Sequence, residues 1–119
     1  MREMLFRAWI ISKNKYADDV MIRRNKNREI ILVCYDDDYF GHIDRKNVVI
    51  EQFTGIEDKN GKKIFEGDRV KAGLPHAIYN VIFKDGCYYL VNSDWCILMR
   101  DCPRIEIIGN IHDQAEVEK

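Results

Sequence analysis

Apolar and polar positions alternate with a period of two along most of this chain, the pattern of half-buried β-strands. Residues 5–12 (LFRAWIIS) predict a first strand, with Trp9 as a core or interface anchor. Lys13-Asn14-Lys15 reads as a turn, and residues 16–24 as a second strand with Val20 and Ile22 on one face. Asp18-Asp19 interrupts that strand and suggests a bulge or loop there. Residues 28–35 (REIILVCY) form the most hydrophobic run. Ile30, Leu32 and Cys34 fall on one face of it, and Ile31, Val33 and Tyr35 on the other. Its β-branched content favours a strand over a short buried helix. A strand apolar on both faces needs cover on both sides: a central position in a sheet, a second subdomain or a partner chain. Asp36-Asp37-Asp38 makes a charged loop, and it lacks the longer ligand series, Gly and terminal Glu of a calcium loop. Phe40-Gly41-His42 begins another strand or turn, and residues 47–53 form a strand through Val48, Val49 and Ile50.

The stretch from Gln52 to Val70 organises the rest. Asp58-Lys59-Asn60-Gly61-Lys62 is a tight turn: Asp58 accepts from a nearby backbone N–H, and Asn60-Gly61 are the residue types that tolerate positive φ. Residues 63–66 alternate as a short strand, Gly67-Asp68 turns the chain again, and residues 69–72 alternate once more. Two turns and two strands within about 20 residues indicate tightly bent, barrel-like β-structure. Asp58, Glu66 and Asp68 have the types needed for acid–base work or a cation, but turn chemistry and solvation account for each of them. Beyond a loop carrying Pro75, residues 77–83 and 87–91 flank Lys84-Asp85-Gly86 as a hairpin. Asn92-Ser93-Asp94 turns the chain, and residues 95–99 are a short strand or one helical turn. Residues 104–111 form the last strand, with Ile105, Ile107 and Ile111 facing inward and Gly109 allowing a kink. A polar tail follows from His112, frayed or a short helix. The one plausible boundary lies at residues 49–54 and divides the chain into 1–51 and 52–119.

The motif T-G-I-x-D-K-N-G-K-x-I-x-E-G-D-x-V at 54–70 closely resembles the YopX family of small bacteriophage and prophage proteins. Phe6-Arg7-Ala8-Trp9 and Ile107-Ile108-Gly109-Asn110-Ile111 agree with it, so the resemblance spans almost the whole chain. It implies a mainly β fold whose C-terminal part is an SH3-like small β-barrel; with the boundary above, the expected architecture is an N-terminal antiparallel β meander packed with that barrel. It also implies an accessory role in a bacterial host cell. No catalytic residues carry over with it.

Composition narrows the function classes. The 119 residues suit one domain or two small subdomains, and 46% apolar with 33% charged content is ordinary for a globular chain. The net charge of −1 provides no global pull toward nucleic acid or membrane. No signal peptide is visible and no apolar run reaches the ~20 residues of a membrane helix, so the expected location is the cytoplasm. Cys34, Cys87, Cys96 and Cys102 form no C-x-x-C, and His42, His76 and His112 are scattered, so no metal or other cofactor is expected. No nucleophile elbow, phosphate loop, dinucleotide fingerprint or zinc-protease helix is present, which points away from an enzyme.

Two classes remain. The first is a protein-interaction or self-assembly module, a homo-oligomer or a binder of a phage or host protein. Its candidate residues are Trp9, Ile31, Val33 and Tyr35, with further aromatics at Tyr88, Tyr89 and Trp95. The second, less favoured, is a nucleic-acid-binding small barrel. Arg23, Arg24, Lys26 and Arg28, on a hairpin tip, would contact phosphate, and Tyr88 and Tyr89 would stack on bases. Lys59, Lys62, Lys63, Arg69 and Lys71 add cations around the central turn, interleaved with Glu57, Asp58, Glu66 and Asp68.

Overall fold

In a computed structural model of the chain, the described residues are 5–24, 26–34, 41–73 and 77–113. The chain is mainly β and antiparallel, as its alternation indicates. It forms two compact units, one from Met4–Gln52 and the other chiefly from Phe53–Lys119. The predicted Tyr35, the Asp36-Asp37-Asp38 loop, Phe40, Pro75 and His76 lie outside the described residues, as does the tail from residue 114.

In the N-terminal unit, β1 (Phe6–Ile10) pairs with β2 (Lys15–Tyr16) and with the first half of β6 (Val48–Glu57). The turn between β1 and β2 closes through Asn14, at φ 53°, whose N–H donates to Ile10 O at 2.9 Å. A three-stranded sheet follows in the order β3 (Asp19–Arg24), β4 (Glu29–Cys34), β5 (Gly41–Ile43). The predicted second strand is therefore two, and the break at Asp18 has a visible cause. The Ala17 N–H donates to Ala8 O (2.8 Å), while the Asp18 N–H donates to Cys34 O (2.7 Å). Consecutive amides point to opposite sides of an extended chain, so the backbone is handed from β1 to β4 at this step. Ala8, Ile10, Ile31, Val33 and Val48 form the core, with Val20, Ile43 and Ile50 packed around it. Fully burying an Ile or Val is worth about 1.5–3 kcal/mol, so this cluster stabilises the unit without a large aromatic.

In the C-terminal unit, the second half of β6 pairs with β7 (Lys63–Phe65) through Phe53 opposite Phe65 and Glu57 opposite Lys63. The remaining strands are β8 (Asp68–Ala72), β9 (Ala77–Lys84), β10 (Cys87–Val91), β11 (Cys96–Leu98) and β12 (Glu106–Asn110). They form one antiparallel sheet in the order β11-β10-β9-β8-β12, curled into a half-barrel. The β9–β10 hairpin closes on Asp85 (φ 51°) and Gly86 (φ 82°), the two consecutive positive-φ residues of a type I′ turn. Ile64, Val70, Ala72, Tyr79, Val81, Leu90, Met99 and Ile105 form the core. Residues 95–99, readable as strand or helical turn, are both: β11 ends at Leu98 and a 3-10 turn runs over Met99–Asp101.

One inward-facing residue is corrected. Ile111 is 41% exposed, not buried, and the reason is a bulge in β12. Ile107 pairs with Val70, but Gly109, two residues on, pairs with Arg69, one residue on. The extra residue, Ile108, is 47% exposed, and it reverses the inside–outside phase for everything after it.

Candidate interaction surfaces

The buried carboxylates hold turns and strands. Asp58 is 6% exposed, and its Oδ1 accepts from the N–H of Asn60 (2.8 Å) and Lys62 (2.9 Å). Its Oδ2 accepts from the Ile107 N–H at 3.1 Å, so one side chain fastens the central turn to β12. Burial pushes the Asp58 pKa up, but the Ile107, Lys62 and Asn60 amides and the Lys62 charge outweigh it and hold the group below its ordinary value. Gly61 takes the positive φ of that turn (83°), and Asn60 does not. Gly67 (φ 90°) and Asp68 make the second turn: Gly67 N–H donates to Val81 O (2.9 Å), and Asp68 Oδ2 accepts from Phe65 N–H (2.8 Å). The third buried acid is Glu51, 2% exposed, which accepts from Arg7 Nε (2.7 Å) and Tyr16 Oη (2.8 Å). Nothing local in the sequence marks this pair, because Arg7 and Glu51 meet only through the β1–β6 register.

The two-sided apolar strand is covered on one side by its own unit. Ile31 and Val33 are each 2% exposed in the N-terminal core, so neither offers surface to a partner. Ile30, Leu32 and Cys34, on the opposite face, are half-buried. Trp9 is also half-buried and packs edge-on against Tyr16, with ring centroids 4.9 Å apart. Of the predicted interaction residues, Ile31 and Val33 are core, Trp9 is partly accessible, and Tyr35 is not described.

The basic tip is a hairpin tip, since Arg24 pairs with Glu29 at the end of β3 and β4. Arg23, Arg24, Lys26 and Arg28 are all exposed. The strand after the tip supplies a counter-charge: Glu29 binds Arg24 Nη2, and also Arg45 Nη1 at 3.1 Å. The Arg24 hydrogen bond holds the Glu29 carboxyl below its ordinary pKa. The four cations therefore do not act as an undivided positive patch.

Tyr88 and Tyr89 do not form a stacking pair, because successive residues of a strand face opposite ways. Tyr88 packs against the core and meets Phe83 in a tilted contact, with ring centroids 4.9 Å apart. Tyr89 lies on the outer face of the five-stranded sheet, in a cross-strand row with Leu98 and Ile82. On the same face Lys71 lies between Ile78 and Glu106, and Arg69 lies beside Asn80. At one end of this sheet stand Ile78, 52% exposed, and Trp95, 64% exposed. The turn carrying Trp95 is fastened by Asn92. Its Oδ1 accepts from the N–H groups of Asp94 and Trp95 (2.8 Å each), its own N–H donates to Trp95 O (3.0 Å), and its Nδ2 donates to Ile78 O (3.2 Å). A fixed backbone thus presents an exposed indole. The Asn-x-x-Trp spacing after a strand is the only local sign of this arrangement.

Among the described residues, no group of three or more His, Cys, Asp or Glu side chains is arranged to hold a metal ion, and all four cysteines are free thiols. No helix among them is long and apolar enough to cross a membrane.

Comparison with known proteins agrees with the β architecture. A crystal structure of protein EF1440 from Enterococcus faecalis is similar over 100% of both chains, with a TM-score of 0.60 and 23% sequence identity, a likeness of fold. No curated protein sequence matches the chain. The family model described as YopX protein matches residues 5–117, nearly the whole length. The chain belongs to the YopX family.

Proposed function

We propose that this protein is a non-enzymatic protein-interaction or self-assembly module. The observation that carries the reading is Trp95, 64% exposed on a turn fastened by Asn92, with Ile78, 52% exposed, on the neighbouring stretch of β9 to which Asn92 is bonded. Large aromatics that reach solvent from a rigid backbone lose little entropy on binding, and Trp is a frequent energetic centre of protein interfaces. The buried acids support the same reading, since Asp58 and Asp68 are occupied by backbone amides and Glu51 by Arg7 and Tyr16. The partner is a second copy of the chain or a phage or host protein inside a bacterial cell.

One observation favours the second reading, binding of single-stranded nucleic acid: Tyr89 shares its sheet face with Arg69 and Lys71. Glu106 beside Lys71 weakens that field.

Light scattering of the purified protein, with the 260/280 nm absorbance ratio taken across the same peak, tests both. Protein-only particles above the monomer mass support assembly. A peak carrying nucleic acid that salt strips away would overturn it in favour of the second reading. A folded monomer at high concentration, free of nucleic acid, would remove self-assembly from the proposal.

A further inference from the structure

We propose that β3 is a dimerisation edge, adding antiparallel to β3 of a second copy about a two-fold axis at Met21. The inference rests on the self-assembly part of the reading above and assigns it a surface and a register on the N-terminal unit, distinct from the Trp95 turn.

Three observations meet on this strand. First, among the described residues β3 is the outer strand of its sheet and pairs only with β4. Among the described residues, Ala17 N–H donates to Ala8 O, and beyond it β1 pairs with β6 and β3 with β4; β1 passes close to β3 without pairing with it. An edge strand of six residues is a template for another strand.

Second, the strand is complementary to itself. It reads Asp19-Val20-Met21-Ile22-Arg23-Arg24, acidic at one end and basic at the other. Laid antiparallel on its own copy about Met21, Asp19 faces Arg23, Val20 faces Ile22, and Met21 faces itself. Asp19, Met21 and Arg23 share the exposed face, so the two Asp–Arg pairs flank a Met–Met contact there. A parallel arrangement would set Asp on Asp and Arg on Arg.

Third, the backbone selects the same register. The Val20 N–H donates to Asp19 Oδ1 at 2.8 Å, which leaves it to the open edge and not to β4. By alternation the Ile22 N–H faces that edge too. In an antiparallel ladder two outward residues must oppose each other, so Val20 can face Ile22. A slip by one residue would set an outward amide against an inward one. A slip by two keeps the amides matched but removes the Asp19–Arg23 pairs. In the separate chain the Asp19 carboxylate seals its own edge amide. In the dimer that amide donates to Ile22 of the second copy, and the carboxylate turns to Arg23. The two-fold symmetry closes the assembly at two copies.

The test begins with Met21→Cys in a Cys87→Ser, Cys96→Ser background, oxidised with glutathione disulfide. Residues facing themselves at a non-hydrogen-bonded position bring Cβ atoms within disulfide range, so a reducible dimer is expected. Val20→Cys and Arg23→Cys, which do not face themselves, should cross-link far less. Sedimentation equilibrium supplies the second arm. Asp19→Arg or Arg23→Asp alone should weaken the dimer on the order of tenfold, because two attractive pairs become two repulsions. The double swap Asp19→Arg, Arg23→Asp should restore it, and Lys84→Ser, on the other unit, should leave it intact. Asp19, Met21, Arg23 and Lys84 are exposed, and matched melting temperatures confirm folding. An assembly that ignores both single reversals, or cross-links equally at 20, 21 and 23, would overturn the β3 register while the interaction reading stands. A folded monomer at every concentration, with no cross-link in the Met21→Cys variant, would remove the β3 dimer and self-assembly together, and leave only the binding of a phage or host protein.

Discussion

The β9–β10 and β3–β4 hairpins are built from the same local physics and meet different surroundings. Each is a pair of alternating strands joined by a short polar turn. The first lies inside a five-stranded sheet, with β8 on one flank and β11 on the other, and its inner face holds Val81 and Leu90 at 1% and 0% exposure. The second ends its sheet, and the most buried residues of β3, Val20 and Ile22, remain half-exposed. A hairpin's stability comes from its packed face and its neighbours, while its turn chooses only the register. Among the described residues β3 pairs on one side only, and it is the strand on which we propose that a second copy adds.

The largest expected effect that separates the two hairpins is a core truncation. Leu90→Ala should cost about 3 kcal/mol, whereas Ile22→Ala on β3 should cost nearer ~1 kcal/mol, read from urea midpoints. Equal losses would mean that β3 is as deeply packed as β10.

Asp58→Ala comes close behind, because three backbone amides lose a charged acceptor at once; about 3 kcal/mol is expected. The acid-limb behaviour sharpens it. The folded pKa of Asp58 lies below its ordinary value of 3.8, so its stabilisation is complete above that value. It is lost as pH falls through the lowered folded value. Asp58→Asn should flatten this part of the stability–pH curve, measured by thermal melts below about pH 4. An unchanged acid limb would deny the amides their role.

The smallest effect tests the turn. Gly86→Ala places a Cβ in open space but at φ 82°, so backbone strain alone should cost about 1 kcal/mol. A neutral substitution would show that the turn relaxes to another type.

How much was legible depended on whether the cause was local. Lys84-Asp85-Gly86 announces its turn, and the Gln52–Val70 stretch shows both its turns and its family. The break at Asp18 was visible as an interruption, but its cause, the hand-over from β1 to β4, was not. Alternation alone places Ile111 inward, because a bulge adds one residue without any change in composition. Ile31 and Val33 looked equally suited to a core or a partner, since alternation shows that two faces exist and not what covers them.

By itself the sequence determined what local chemistry controls: strand and turn sites, the Lys84-Asp85-Gly86 hairpin, the carboxylate-held turns, the antiparallel β class and membership of its family. Only the tertiary structure decided which apolar face is buried, that Glu51 meets Arg7 and Tyr16, that Tyr88 and Tyr89 part company, and that Trp95 and Ile78 stand in solvent. Those outcomes depend on contacts between residues far apart in the chain, whose energies exist only once the strands have chosen their neighbours.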